Sequence, residues 1–446
     1  MDADVVVIGA GAAGLAAARS LAERSLRVIL LEGRDRVGGR VWSRTMTRSV
    51  VPAELGAEFI HGPAEETMTL VRKAGTAAID STGESWLYRA GKLSRGDDDF
   101  KSVPEVFEES RSLAEDESLD HFLRRFSTNG AMRRTAAAAR AFAEGFDAAD
   151  PAIASVRAIA DEWKSGVDST TARPLGGYPP LFRRLRESCA AAGVQTQLST
   201  IVRHISWQPG AVTVEATNGS GRHQTLRARA AIVTLPAGVL RHRGDENEIV
   251  FDPVLPATKL DALDKIEMGQ VVKIALLFRT AFWERISEGR YRDAAFFRCE
   301  DQPFGAFWTQ YPVRSELIVA WAAGPKVIAL HNASQTELIE LARDGFASLF
   351  DEPAQVQSEF ESGFMHDWAR DPFSRGAYSY LRVGAGDARI ALAAPVDGTL
   401  FFAGEATSSD GQGGTVNGAL ETGERAGREA AAWLRATNAE TETQHG

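Results

Sequence analysis

Cysteine, long apolar runs and positive charge are what this 446-residue sequence has little of. Cys189 and Cys299 are its two cysteines and no C-x-x-C occurs. That excludes a disulfide framework and fits a reducing compartment. The longest apolar runs, such as Ala230–Leu235 and Val271–Phe278, have strand length and cannot span a bilayer. No charged segment with an apolar core precedes the first predicted strand, so no signal peptide is expected, and a cytoplasmic location is. The formal charge of -10 argues against nucleic acid and anionic membrane as partners and permits a cationic substrate. What is present is ordinary for a globular protein, with 44% hydrophobic and 25% charged residues. The length exceeds one core, so two domains are expected.

The N-terminus carries the first specific signal. Val5–Ile8 reads as a buried parallel strand, followed by Gly9, Gly11 and Gly14 as G-x-G-x-x-G. Leu15, Ala18, Leu21 and Ala22 then recur at helical spacing, and Val28–Leu31 reads as a second strand ending at Glu32. Gly9 suits the tight turn, Gly11 lets backbone approach a pyrophosphate, and Gly14 lets helix and strand pack closely. With Ala13 they form the expected cofactor-binding turn. The helix start offers free N–H groups to phosphate, and Glu32 can accept from ribose hydroxyls. The order strand, glycines, helix, strand, acid sets this apart from an ordinary tight turn. Arg34 and the Gly38-Gly39-Arg40 run follow, either a basic surface turn or a second phosphate clamp.

From here the sequence resembles the flavin-containing amine oxidase family, which includes monoamine oxidases, polyamine and spermine oxidases and lysine-specific histone demethylases. The resemblance implies that Glu32, Arg34, Gly39 and Arg40 hold FAD. It continues through Ala53–Gly62, where Gly56, Ala57 and Glu58 would lie along the flavin ring. His61 is either a turn histidine before Gly62-Pro63 or, as in polyamine and spermine oxidases, a substrate-site residue. Arg173–Tyr178 matches a glycine turn of the family, and Val202 would meet adenine through its backbone. In Val271–Phe278, alternation places Lys273 among Val271, Ala275 and Leu277. Taken alone such a lysine snorkels or sits on an edge strand. The resemblance instead implies that it holds a water at flavin N5.

Near the end, Trp368–Tyr380 resembles the polyamine oxidase and demethylase branch, with Trp368 by the flavin and Tyr378 walling the substrate site. Either aromatic could equally be core. Ala377 stands where monoamine oxidases carry the flavin-linking cysteine, and Thr415 where they carry a second cage tyrosine. FAD is therefore expected to be non-covalent and the cage one-sided. Gly404 and Glu405 would bind the FAD chain, and a helix starting near Val416 would face the flavin N1–C2 edge, where reduced flavin is negative. Glu162, with Asp161, is either an exposed helix end or an acid that meets an ammonium group. The Asp97–Asp99 run reads as a solvated loop.

The expected fold is α/β: a two-domain flavoprotein with a Rossmann-type FAD-binding domain and an α+β substrate-binding domain. The first is gathered from 1–80, 190–255 and 385–440, the second from 81–189 and 256–384, with a polar tail at 441–446. The expected reaction is oxidation of a polyamine C–N bond, with small-molecule amine and O2 as the partners and H2O2 as product. Lys273, Tyr378, Thr415, His61 and Glu162 are its expected catalytic residues, and no metal is needed. Three rivals share parts of the pattern. An L-amino-acid oxidase would want an arginine after Gly56, where none stands. A carotenoid- or protoporphyrinogen-type desaturase would not need Lys273 with the Tyr378 segment. A non-enzymatic Rab-inhibitor-type carrier would lack flavin. A chromatin role finds no tower-like insertion or basic tail, and a second G-x-G-x-x-G for NADPH is missing.

Overall fold

Val5–Ile8 and Val28–Leu31 contain no polar side chain, and all of their residues are buried. Such strands need cover on both faces, which a parallel sheet flanked by helices supplies. In the computed structural model they pair in parallel at the centre of a five-stranded sheet. Its order is Gln195–Gln197, Val28–Leu31, Val5–Ile8, Ala230–Val233, Leu400–Phe402, and every pairing is parallel. In chain order this is 3-2-1-4-5, the doubly wound dinucleotide-binding arrangement. The helix Ala12–Ala22 covers one face together with the C-terminal helix Val416–His445. Residues 1–96, 103–110, 112–127, 130–167, 170–299, 301–350 and 353–445 are described. The Asp97–Asp99 run lies outside them.

The second large sheet has seven strands and a mixed direction. Val271–Phe278 lies inside it, hydrogen-bonded to Leu317–Ala323 on one side and Phe360–Met365 on the other. Both of its edges are occupied and all eight residues are buried. Lys273 is therefore neither an edge-strand nor a snorkelling lysine. Behind this sheet an aromatic core gathers Phe278, Phe282, Trp283, Phe297 and Phe346. A separate helical cluster unites Val103–Ser110, Leu119–Leu123, Gly130–Gly145 and Val156–Lys164.

Two expected seams shift with the packing. The helix Pro179–Ala191 buries Leu181, Phe182, Leu185 and Cys189 in the core under the nucleotide sheet, so its apolar face ties it there although its number falls before 190. Ala262, Leu263, Ile266 and Met268 likewise join the core on the other face of that sheet, beyond the expected boundary at 255. The C-terminal helix also continues to His445 through the expected tail.

Candidate active site

One cavity of about 1130 Å³ runs from the glycine turn to the helical cluster. Ordinary ligand pockets hold about 300–1,000 Å³, so this one has room for a dinucleotide with a substrate. At its nucleotide end Gly9 adopts φ +102°, a conformation other residues avoid. A Cβ at Gly14 would lie 1.7 Å from the Gly9 carbonyl oxygen, so helix and strand touch there backbone to backbone. A Cβ at Gly11 would meet nothing within 4 Å; it would project into the cavity that the turn lines. The Ala10 and Arg34 N–H groups donate to the two oxygens of Glu32 at 2.8 and 2.9 Å. They fix the carboxylate at the cavity wall while burial pushes its pKa up. Val202 lines the same end from the strand Thr200–Gln208, beside a bulge between Val202 and His204.

The arginines are held by protein partners. Arg34 donates twice to Asp371, at 2.9 and 2.7 Å, and once to Ser374. Arg40 donates to the Ala377 carbonyl at 2.9 Å and to Glu405 at 2.7 Å. Burial would raise the Glu405 carboxyl, but Arg40, Arg389 and the Ser379 hydroxyl lower it. Both arginines still line the cavity, with Gly39, Gly404, Glu405 and Val416. Thr415 lines the cavity too and has a second task. Its hydroxyl accepts from Gly418 N–H at 2.9 Å and donates to the Gln412 carbonyl at 2.8 Å, capping the C-terminal helix.

Midway lies the segment Gly56–Glu58, pinned from both flanks. The Trp368 indole donates to the Leu55 carbonyl at 2.8 Å and the Tyr178 hydroxyl to the Phe59 carbonyl at 2.9 Å. Ala57 N–H donates to the Arg40 carbonyl. Lys273 Nζ reaches this segment, donating to the Gly56 carbonyl at 2.9 Å and pairing with Glu58 at 2.8 Å. Both side chains of that pair are 3% exposed. Glu58 also accepts from Arg173 at 2.9 Å, Trp308 at 3.0 Å and Gln310 at 3.2 Å. Burial would raise its pKa, yet the Lys273 and Arg173 charges and these hydrogen bonds hold it at about 2. An ammonium group has three donors, so Lys273 keeps one for the cavity that it lines.

The far end is aromatic and acidic. Tyr378 lines it and donates to the Phe146 carbonyl at 2.5 Å. His61 is no surface turn histidine: its ring packs edge-on against Phe146 and beside Phe59, facing the cavity. Burial lowers its pKa to about 4, so the imidazole is neutral at physiological pH, and its Nδ1 has no hydrogen-bond partner among the described residues. Glu162, in the last turn of Val156–Lys164, faces inward rather than out, beside Asp147. Sequence reading passed over Asp147, Arg173, Trp308 and Arg389. The one signal for Asp147 is an acid between Phe146 and Ala148-Ala149 at a helix end. Arg89, Arg298 and Lys326 also line the cavity, and they too were missed. Among the described residues no cluster of metal-ligand type occurs, and no helix is long and apolar enough to cross a membrane.

The profile of the family described as "Flavin containing amine oxidoreductase" matches residues 12–84 and 76–431. The chain belongs to that family. FAD is its cofactor. The residues present fit the group: an open glycine cradle, a buried acid at the carboxyl end of the second strand, and a helix start at Val416 all face one cavity. Lysine-specific histone demethylase 2 of Homo sapiens is 26% identical over 461 residues, covering 96% of this chain and 53% of the relative. Polyamine oxidase 2 of Arabidopsis thaliana is 30% identical over 456 residues, covering 94% and 86%. The chain spans about half the length of the first curated relatives it matches. The solved cyclohexylamine oxidase from Brevibacterium oxydans IH-35A shares the fold, with TM-score 0.80, 19% identity, and 98% and 100% coverage.

Proposed function

We propose that the protein oxidises a C–N bond of a polyamine of the spermine or spermidine kind. Bound FAD supplies the redox chemistry, taking a hydride equivalent from the carbon bearing nitrogen and passing the electrons to O2 as H2O2. The observation that carries the reading is the continuity of one cavity: a nucleotide cradle, then the buried Lys273–Glu58 pair, then an aromatic and acidic end. The chain's own residues bind, orient and dry the amine. Tyr378, Phe146 and Trp163 wall the site and exclude water. Lys273 is held rigidly by Glu58 and the Gly56 carbonyl, so its remaining N–H can fix a water. His61 offers a neutral nitrogen that does not repel a cation. The relatives named polyamine oxidase support the substrate class, and a chain with several charges gains from contacts remote from the reacting carbon.

A peroxide-release screen over spermine, spermidine, putrescine, benzylamine and tyramine tests this, with His61→Ala as the companion variant. Spermine or spermidine should have the highest kcat/KM, and His61→Ala should weaken that preference. A monoamine at the top overturns the substrate class. A second reading, an amine that also carries a carboxylate, is favoured by one observation: Arg89, Arg298 and Lys326 are among the residues lining the cavity. L-Amino acids therefore belong in the screen, and activity on them alone would replace the polyamine reading.

A further inference from the structure

Asp147 and Glu162 form a pair of cavity carboxyls that the fold, among the described residues, does not use. Asp147 follows the helix Gly130–Gly145, and Ala148, at φ 51°, turns the chain directly after it. Its side chain lines the cavity although the residue is 5% exposed, and neither of its oxygens receives a hydrogen bond from any donor among the described residues. Its polar neighbour is the Glu162 carboxyl, which lines the same cavity and shares a hydrogen bond with it when Asp147 carries the proton. The nearest cation, Arg389, is engaged elsewhere. It donates to the Ser379 hydroxyl at 2.9 Å, the Ser379 carbonyl at 3.0 Å and the Glu405 carbonyl at 3.2 Å. The other titratable groups facing the pair are Glu405 and the Tyr378 phenol, whose proton is committed to the Phe146 carbonyl.

Two buried carboxyls whose donor is the proton between them destabilise a fold, because each loses water and, once both ionise, each repels the other. Burial and the Glu162 charge push Asp147 well above the carboxylate range, and burial with Glu405 raises Glu162 to about 7, although Arg389 and the Asp147 hydrogen bond lower it. An arrangement that weakens the folded state is explained by a ligand that completes it. That ligand is a cation small enough for a cavity walled by Phe146, Trp163 and Tyr378. A metal ion is a poor fit: these are two ligands among aromatic rings, and no group of three or more ligating side chains gathers among the described residues. An alkylammonium suits both, donating to carboxylates and resting against ring faces.

We propose that Asp147 and Glu162 together seat a second, non-reacting ammonium group of the substrate, so that this site selects diamines and polyamines over monoamines. The proposal rests on the amine-oxidation reading and assigns its specificity to two named carboxyls. On entry the ammonium takes the hydrogen-bond acceptors that the shared proton had linked, and that proton leaves to solvent. Diamine binding therefore strengthens as pH rises through about 7, where Glu162 loses its proton, while monoamine binding does not follow that titration.

The test uses the FAD-loaded enzyme and pairs of unbranched amines, each α,ω-diamine against the monoamine of equal chain length. Wild type should prefer the diamine at one or more lengths by at least ~tenfold in kcat/KM, since a buried charged contact discriminates by a kcal/mol or more. Asp147→Asn and Glu162→Gln should each cut that ratio ~tenfold, the diamine losing more than the monoamine. Both variants should melt at the wild-type temperature or above it, because they remove repulsion; a purely structural role would lower it. Titration calorimetry of a diamine on the dithionite-reduced enzyme, in two buffers of different ionisation enthalpy, should show proton release that both variants abolish. Unchanged diamine preference in both variants, or equal loss for both amines, overturns the seat. If no amine is oxidised, the amine-oxidation reading fails by itself, and calorimetry still decides whether the pair binds a diamine.

Discussion

Lys273 and Glu58 show how much one buried pair decides. Removing one partner of a buried ion pair leaves the other uncompensated, at about 3–5 kcal/mol, whereas exposed pairs are worth ~0–1 kcal/mol. Glu58→Gln should therefore lower unfolding free energy in urea by the larger amount, and Asp161→Asn, at the exposed Lys164 pair, by the smaller. Comparable effects would remove Glu58 from its role as anchor of Lys273. The Glu58 pKa is depressed in the fold, to about 2, against about 4.3 in an unfolded chain. Its stabilising contribution is thus full above pH ~4.3 and is lost as pH falls towards 2. Lys273→Met, with the fold intact, should slow flavin reduction or reoxidation by ~tenfold or more in stopped flow; wild-type half-reactions would leave Lys273 only structural. Single residues also bear on how the cofactor is attached. Ala377 offers no thiol, and Cys189 and Cys299 lie in cores away from the cavity, their thiols pushed by burial to about 11 and about 12. Acid precipitation should leave the yellow colour in the supernatant; flavin kept by the pellet would contradict non-covalent binding.

At the scale of elements, the strand–glycine–helix turn separates two jobs that sequence alone merges. Gly14 serves packing, since a Cβ there would collide with the Gly9 carbonyl, whereas Gly11 serves the ligand, since a Cβ there would enter only the cradle. Gly11→Ala should fold with a melting temperature within roughly 2 °C of wild type in the FAD-free state, yet bind FAD at least ~tenfold more weakly, about 1.4 kcal/mol. Gly14→Ala should damage folding itself. Fluorescence titration with FAD beside a thermal melt distinguishes the two, and equal behaviour of both variants would undo this division. The C-terminal helix is a second case. Thr415 caps it and Val416 opens it at the cavity, so its positive end is aimed by a side chain whose position first suggested a cage.

For the whole molecule, two titrations act on one substrate. The reacting amine gives up hydride only with a free lone pair, and alkylammonium groups titrate near ~10. The second ammonium must stay charged to meet the acidic pair. kcat/KM for a diamine should therefore rise from neutral to alkaline pH, more steeply around pH 7 than for a monoamine, where Glu162 ionises. A flat profile with chemistry rate-limiting would count against oxidation of a neutral amine. The cavity that couples these events is made by the meeting of the nucleotide sheet, the seven-stranded sheet and the helical cluster, so all three must be in place for it to form.

The amino-acid sequence by itself determined the nucleotide turn. Strand, glycines, helix and acid lie within one short stretch, and the Glu32 carboxylate accepts from Ala10 across only 22 residues. Local sterics and apolar alternation suffice there, and the family motifs at both ends are read from residues side by side. Whether Lys273 was edge or interior depended on which strands flank Val271–Phe278, and strand neighbours are not written in a strand. Arg40 meets Glu405 across 365 residues, an ion pair at the cavity wall that no local stretch announces. His61 and Glu162 each had a bland surface reading that fitted their local sequence equally well. Only the packing of Phe146 against His61, and of one helix end against another, turned them inward. Asp147 was the least legible of all, because its meaning lies in the donors it does not have. A missing hydrogen bond is a property of three-dimensional surroundings and leaves no trace in the order of residues.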